Sequence, residues 1–163
     1  MTPFAIQSYD VVLSVHIMAV VLGFGPTFAY AVMAALAHQD GGRNVPFYVR
    51  TIMRIDRYLV LPGMLVLLLT GLYLATLADG PYDLKDTWVS ATFAILLGIL
   101  ALQFLVFAPG ERRSLELAER DLGGGQGRLS PEYDAAAKRL AIAGSLAGVL
   151  VLVAIFLMTT KPG

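Results

Sequence analysis

The sequence predicts an all-α integral membrane protein whose four transmembrane helices form an up-down bundle. Of its 163 residues, 57% are hydrophobic and only 15% are charged, and the mean hydropathy is +0.70. Soluble domains carry about 25% charged residues. None of the apolar stretches alternates polar and apolar residues as the strands of a membrane β-barrel do. Four stretches without Asp, Glu, Lys or Arg reach the roughly 20 residues that a helix needs to cross a bilayer: 11–37, 58–78, 87–110 and 140–160.

The first span follows an N-terminal segment that differs from a signal peptide. The first ten residues hold Asp10 but no Lys or Arg, whereas a signal peptide begins with a basic region. The uncharged run is also longer than the apolar core of a signal peptide. We therefore expect the first helix to remain in the protein as a membrane span.

The predicted loops differ in charge on the two sides of the bundle. The loop between the second and third spans contains Asp79, Asp83 and Asp86 against Lys85. The positive-inside rule places the two basic loops, 38–57 and 111–139, in the cytoplasm. Both termini then lie outside, and the protein is expected in the inner (plasma) membrane of a bacterium. The basic residues of these loops are Arg43, Arg50, Arg54, Arg57, Arg112, Arg113, Arg120, Arg128, Lys138 and Arg139.

The last predicted loop contains signals for a helix end and a helix start. Pro109 and Gly110 are expected to end or kink the third span, and "ERRSLELAERDL" predicts a short helical extension. "GGGQG" (123–127) is expected to be a flexible break. Ser130 followed by Pro131 predicts the start of the fourth helix, because a hydroxyl residue caps a helix and proline suits its first turn.

The chain is predicted to be a single membrane domain, 1–163, with a possible two-plus-two repeat. "DVVLSVH" from Asp10 aligns with "DTWVSAT" from Asp86, and "RYLVLPG" aligns with "KRLAIAG". A repeat of two spans each is parallel, related by an axis along the membrane normal. "GSLAG" (144–148) has the small-residue spacing of helix contacts, and we expect it to pack within the chain.

His16 is the ionisable residue inside the first span, and three roles remain open for it. It can be a neutral side chain that hydrogen-bonds Thr70 or Tyr73 and joins two helices. It can be an axial ligand of a haem or a ligand of a metal, since neutral imidazole is the commonest metal ligand. It can also transfer protons in a water-filled cavity, since an ionisable residue inside the membrane is taken as a functional residue unless shown otherwise.

The composition restricts the chemistry that this histidine can perform. The second histidine, His38, lies roughly 33 Å along the same helix from His16, so the two cannot hold one haem within a chain. The sequence contains no cysteine, which excludes disulfides and thiolate metal sites, and its net charge of zero does not favour nucleic acid. We expect no acidic pair at membrane depth, and we expect Asp56 to be an ion partner for the arginines at helical spacing around it, Arg50, Arg54 and Arg57.

The segments "HIMAVVLGFGPTFAY", "LLLTGLYLA" and "DTWVSA" resemble a family of short bacterial four-span membrane proteins of unknown function. The resemblance covers nearly the whole chain. More distantly, the chain is similar to the CopD and HemJ group of membrane proteins, in which a histidine of the first span serves haem or metal chemistry. That resemblance implies that His16 is the ligand position. The chain departs from the HemJ pattern, because Leu22 and Gly23 stand where that pattern has a tryptophan.

These observations lead to a leading prediction and an alternative. The leading prediction is a membrane protein that binds a b-type haem through His16 for electron transfer or haem handling. Thr70, Tyr73 and Thr92 lie at comparable depth and are predicted to surround that cofactor. The alternative is a cofactor-free small permease component or structural subunit, with His16 as an interhelical hydrogen bond or a proton relay. In both cases the protein is expected to form a homodimer or join a larger membrane complex.

Overall fold

The computed structural model describes residues 8–39, 41–76, 83–124 and 128–162. These residues form helices only, without any strand among them. The α-helices are α1 (Ser8–His38), α2 (Val45–Ile55), α3 (Leu61–Thr76), α4 (Thr87–Leu102), α5 (Ala108–Gly123) and α6 (Pro131–Thr160). A π-helical segment, Asp56–Val60, joins α2 to α3, and a second one, Gln103–Phe107, joins α4 to α5.

Four continuous helices are long and apolar enough to cross a membrane, which confirms the predicted fold class. They are Ser8–His38, Val45–Thr76, Thr87–Gly123 and Pro131–Thr160. Large apolar side chains cover the outside of this bundle, among them Val21, Leu105 and Phe156, each more than 60% exposed. In water such a surface would aggregate, whereas in a bilayer the lipid tails solvate it. The protein is therefore an integral membrane protein with an all-α four-helix bundle.

The helices α1 and α3 approach each other closely where two glycines meet. A Cβ atom added to Gly63 would lie 2.8 Å from the backbone nitrogen of Gly23 and 2.9 Å from its Cα. Any larger residue at position 63 would therefore push the two backbones apart. Small residues at such contacts give membrane helices their van der Waals packing. These two helices form the first hairpin of the bundle.

The second hairpin consists of α4 and α6, and it meets the first hairpin only partially. Contacts between α1 and α6 and between α3 and α4 are sparse. The expectation that "GSLAG" packs against another helix is wrong, because Cβ atoms added to Gly144 and Gly148 would meet nothing within 4 Å. Instead, both glycines border a cavity between the hairpins.

A helical cap closes the end of the bundle at which α1 ends and α6 begins, which we call the basic end. Here α2, α5 and the first turns of α6 pack around Val45, Leu117 and Tyr133. The predicted helix start at Ser130 is confirmed: its hydroxyl accepts a hydrogen bond from the Tyr133 backbone N–H at 3.3 Å. Some arginines of the cap pair with acidic partners, as Arg50 does with Glu119 and Arg120 with Glu132.

Both π-helical segments precede a proline. The first ends at Val60, before Leu61-Pro62-Gly63, and the second ends at Phe107, before Ala108-Pro109-Gly110. A proline inside a helix lacks an N–H and clashes with the carbonyl four residues earlier, and a wider π turn relieves that clash. Of the two effects expected of Pro109, an end or a kink, the helix end does not occur, because the helix continues to Gly123.

Some predictions fall on residues outside the described ranges. Asp79 of the acidic loop lies outside them. Most of the predicted break "GGGQG" also lies outside them, since the structure describes only its residues Gly123 and Gly124. The end of the second span at 77–78 is also outside them.

Candidate functional site

The predicted interhelical contact of His16 is present between α1 and α3. His16 is buried, and its Nδ1 lies 2.9 Å from the hydroxyl oxygen of Thr70. The Thr70 hydroxyl donates its proton to the carbonyl of Val66 at 2.7 Å. It therefore accepts a hydrogen bond from His16, so Nδ1 carries the ring proton and Nε2 keeps a lone pair. The structure thus brings together two of the four predicted site residues.

Of the remaining two predicted residues, Thr92 lies beside His16 and Tyr73 does not. Thr92 is buried and lines the same small cavity as His16, but its hydroxyl donates to the carbonyl of Trp88 at 2.8 Å. Tyr73 is half-buried and is not among the residues around this cavity. We call this space, lined by His16, Gly71, Thr92 and Phe93, the outer cavity.

The outer cavity is too small for a haem in the arrangement that the structure describes. Its volume is about 50 Å³, whereas pockets for small molecules and cofactors enclose roughly 300–1,000 Å³. Among the described residues there is also no group of three or more His, Asp or Glu side chains that could hold a metal ion. A haem at His16 would therefore need more space than the outer cavity has.

A much larger cavity opens between the two hairpins toward the basic end. Its volume is about 430 Å³, and we call it the inner cavity. Phe24, Ile99 and Val151 line both cavities and therefore lie between them. Most of the lining is apolar and aromatic, as is typical of pockets that bind small molecules. Its polar lining includes Tyr30, Tyr48, Asp56, Gln103, Glu111 and Ser114.

Two buried carboxyl groups meet in the inner cavity. Asp56 is 6% exposed and Glu111 is 5% exposed, and the two side chains are close enough for a hydrogen bond between them. The expectation that Asp56 pairs with an arginine is wrong, because its carboxylate accepts hydrogen bonds from Tyr30 and Gln103. Both carboxyl groups lie just beyond the predicted spans 58–78 and 87–110. Asp56 begins the first π-helical segment, and Glu111 lies in the first turn of α5.

Asp56 accepts hydrogen bonds on both of its oxygen atoms. The Tyr30 hydroxyl donates to Oδ1 at 2.6 Å, and Gln103 Nε2 donates to Oδ2 at 3.0 Å. Two carboxylates in contact cannot both ionise at low cost, so a pair of this kind favours sharing one proton. With one shared proton the pair would carry one negative charge.

Ser114 completes this cluster with a hydroxyl that has no partner. It follows Glu111 by one helical turn, so the two side chains share a face of α5. Ser114 is only 2% exposed, and its Oγ makes no hydrogen bond with the described residues. A buried hydroxyl without a partner costs free energy, which makes it a place where a water or a solute would bind.

His38 and Tyr133 border the inner cavity at the basic end. His38 donates from Nδ1 to the carbonyl of Ala34 at 2.6 Å, and the Tyr133 hydroxyl lies 3.2 Å from Nε2. The two rings are tilted by 38° with their centroids 5.8 Å apart, and this contact joins α1 to α6.

Sequence reasoning missed the carboxyl pair because its members stand among arginines in the chain. Asp56 lies between Arg54 and Arg57, and Glu111 precedes Arg112. Both are therefore interpreted from the sequence as charged residues of solvent-exposed loops. A signal is present in two similar segments: "DRYLVLPG" begins with Asp56 and "QFLVFAPG" begins with Gln103. Each places a polar residue six positions before a proline, at the start of a π-helical segment.

The comparisons with known proteins give a family and nothing finer. Residues 10–162 match the family described as predicted integral membrane protein (DUF2269). No curated protein and no solved structure matches the chain. The match covers almost the whole chain and agrees with the four long apolar helices of the bundle. The chain belongs to the DUF2269 family of predicted integral membrane proteins.

Proposed function

We propose that this protein is a small permease component, a cofactor-free membrane protein that admits a solute into the inner cavity. The observation that supports this most is the cavity of about 430 Å³ with its buried Asp56–Glu111 pair. Ionisable residues in membrane segments are costly and usually mark pathways of substrates, ions or protons. A bundle with a purely structural role would gain stability from apolar residues at these positions.

In this proposal His16 is an interhelical hydrogen bond rather than a part of the solute site. Its contact with Thr70 ties α1 to α3, and it is not among the residues that line the inner cavity. The hydrogen bond supports the first hairpin as a stable unit. The sparse contacts between the hairpins would then allow them to move relative to each other.

The proposal includes the orientation that the basic loops predict. The basic end faces the cytoplasm of a bacterial cell, both termini lie outside, and the inner cavity opens inward. Phe24, Ile99 and Val151 separate the inner cavity from the outer cavity. We therefore expect a homodimer or a larger complex to complete a path across the membrane.

Cysteine labelling tests whether the inner cavity holds water that is continuous with the basic end. The chain contains no cysteine, so single substitutions suffice. Ser145→Cys places a thiol at the cavity, and Ile142→Cys places one on the outer surface, where Ile142 is 62% exposed. Maleimides react with the thiolate, which does not form in hydrocarbon.

Inverted membrane vesicles treated with a membrane-impermeant maleimide should label Ser145→Cys but not Ile142→Cys. Glu116→Cys, in the exposed part of α5, is the positive control for access to the basic end. If Ser145→Cys is as unreactive as Ile142→Cys, the cavity is dry and the proposal fails. Labelling of Glu116→Cys only from the opposite side of the membrane would overturn the orientation.

A second candidate function is the binding of a b-type haem by His16 for electron transfer or haem handling. It is favoured by one observation: Nδ1 of His16 hydrogen-bonds Thr70 and leaves the Nε2 lone pair as the ligating position. Such a hydrogen bond on the far ring nitrogen is usual for metal-ligating histidines. Because the outer cavity has only about 50 Å³, the helices around it would have to separate, or a second chain would have to contribute.

Absorption spectra of the purified protein, oxidised and dithionite-reduced, test this second function. A Soret band that shifts on reduction, is lost in His16→Ala and persists in His38→Ala would support haem binding. If the folded protein shows no such band after addition of hemin, the haem-binding function is refuted and the permease proposal remains.

A further inference from the structure

We propose that the inner cavity binds a small organic ammonium ion, with the Asp56–Glu111 pair as its counter-charge and Ser114 as a hydrogen-bond acceptor. This inference rests on the proposed function and names the chemical class of the solute. Three independent features of the cavity support it: its net charge, the unpartnered hydroxyl and the character of its lining.

The charge of the inner cavity favours a cation. Among the described residues that line it, the carboxyl groups are Asp56 and Glu111, and there is no lysine or arginine. The hydrogen bonds of Asp56 come from the neutral groups of Tyr30 and Gln103. A buried charge without an opposite charge is strongly unfavourable. A bound monovalent cation would neutralise it.

The hydroxyl of Ser114 provides a hydrogen-bond acceptor beside that charge. Its Oγ is buried without a partner, and it lies one turn from Glu111 along α5. An ammonium group carries up to three N–H donors. It can therefore donate to Asp56 and to Ser114 at the same time, which satisfies the one buried side-chain polar atom that lacks a hydrogen bond among the described residues.

The remaining lining favours an organic cation over a metal ion. Calcium takes six to eight oxygen ligands, and magnesium requires a near-ideal octahedron, whereas no group of three metal-ligating side chains occurs in the part of the chain that the structure describes. The lining also includes the aromatic side chains of Phe24, Phe28, Tyr48 and Phe107. Aromatic rings attract organic cations through their faces and cover an apolar body.

Binding of 2-phenylethylammonium to the full-length protein in lipid nanodiscs, measured by calorimetry, tests the inference. Two analogues serve as probes of charge: 2-phenylethanol is neutral, and 3-phenylpropionate is an anion. We expect saturable binding of the ammonium compound and at least tenfold weaker binding of both analogues, since charge-assisted hydrogen bonds are the strong ones. Equal binding of the three compounds, binding of the anion alone or absence of ammonium binding would overturn the inference.

Variants assign the binding to the inner cavity. The double variant Asp56→Asn/Glu111→Gln keeps the size and hydrogen bonding of the pair but removes its charge, and it should lose the preference for ammonium over alcohol. The control Glu116→Gln/Asp134→Asn removes two exposed charges, one from α5 and one from α6, and should bind as the native protein does. An ammonium preference that survives in the first double variant would contradict the inference.

The conservative variant Ser114→Ala gives a test that does not depend on the stability of the charge variants. We expect it to weaken ammonium binding about threefold to tenfold, the effect of one hydrogen bond. Unchanged binding in a folded Ser114→Ala protein would remove Ser114 from the site. If Ser145→Cys is labelled through water but no ammonium binding occurs, the permease proposal stands and this inference fails.

Discussion

Substitution of Gly63 by alanine probes the contact that forms the first hairpin. The added Cβ would lie 2.8 Å and 2.9 Å from backbone atoms of Gly23, and backbone atoms cannot rotate away as a side chain can. Overpacking of this kind costs about 1 to 3 kcal/mol. Alanine also gains up to about 1 kcal/mol over glycine in helix propensity. The net expectation for Gly63→Ala is a loss of about 0 to 2 kcal/mol in the free energy of unfolding.

Gly98→Ala is the matched control that isolates the contact. Gly98 lies within α4, and a Cβ atom there would meet nothing within 4 Å. This variant should therefore gain only the stabilisation from helix propensity. The free energies of unfolding of the two variants should differ by about 1 to 3 kcal/mol. Unfolding in mixed micelles with increasing denaturing detergent measures both. Equal free energies of unfolding for the two variants would refute the close approach of α1 and α3.

Three further predictions concern the cavities and the contacts around them. Gln103→Leu removes one of the donors to Asp56 and should lower the free energy of unfolding by about 1.5 to 3 kcal/mol; an unchanged value would contradict this hydrogen bond. A double-mutant cycle of His16→Ala and Thr70→Val should show a coupling of about 0.6 to 1.7 kcal/mol, and strict additivity of the two effects would mean that the side chains do not interact. Gly148→Leu should reduce cysteine labelling in the inner cavity without loss of stability, since a Cβ at this position meets nothing; unaltered labelling would show that the side chain points elsewhere.

The sequence predicted the features that depend on local composition or on depth in the bilayer. The four spans follow from uncharged stretches such as 140–160, which cannot be solvated by water. The start of α6 follows from Ser130, because capping involves residues within one turn. The His16–Thr70 contact follows from predicted depth alone, since both residues are expected at a similar distance from the same end of neighbouring spans.

The carboxyl pair could not be predicted in this way, because it depends on the relative rotation of three helices. Asp56 and Glu111 are 55 positions apart in the chain, and each has arginines as near neighbours in the sequence. Their burial also depends on two π-helical segments, which change the face that the following residues present. In the sequence, these segments are indicated only by the prolines at 62 and 109. A proline next to a predicted loop is normally interpreted as a helix end.

The cavity itself arises from residues that are too small to fill it. Gly144 and Gly148 follow the spacing of helix contacts, yet no helix lies against them. Their spacing permits close packing but does not require it. Whether small residues meet a helix or border a space is decided by how the two hairpins pack.

The most direct measurement of the central claim is the protonation of the Asp56–Glu111 pair by infrared spectroscopy. Two carboxyl groups that touch in a buried site share one proton, so the native protein at neutral pH should show the C=O stretch of one protonated carboxylic acid. This band should disappear in Glu111→Gln and persist in the control Glu116→Gln. Absence of the band from the native protein would mean that both groups are ionised and separately hydrated, which would contradict a buried pair as the core of the inner cavity.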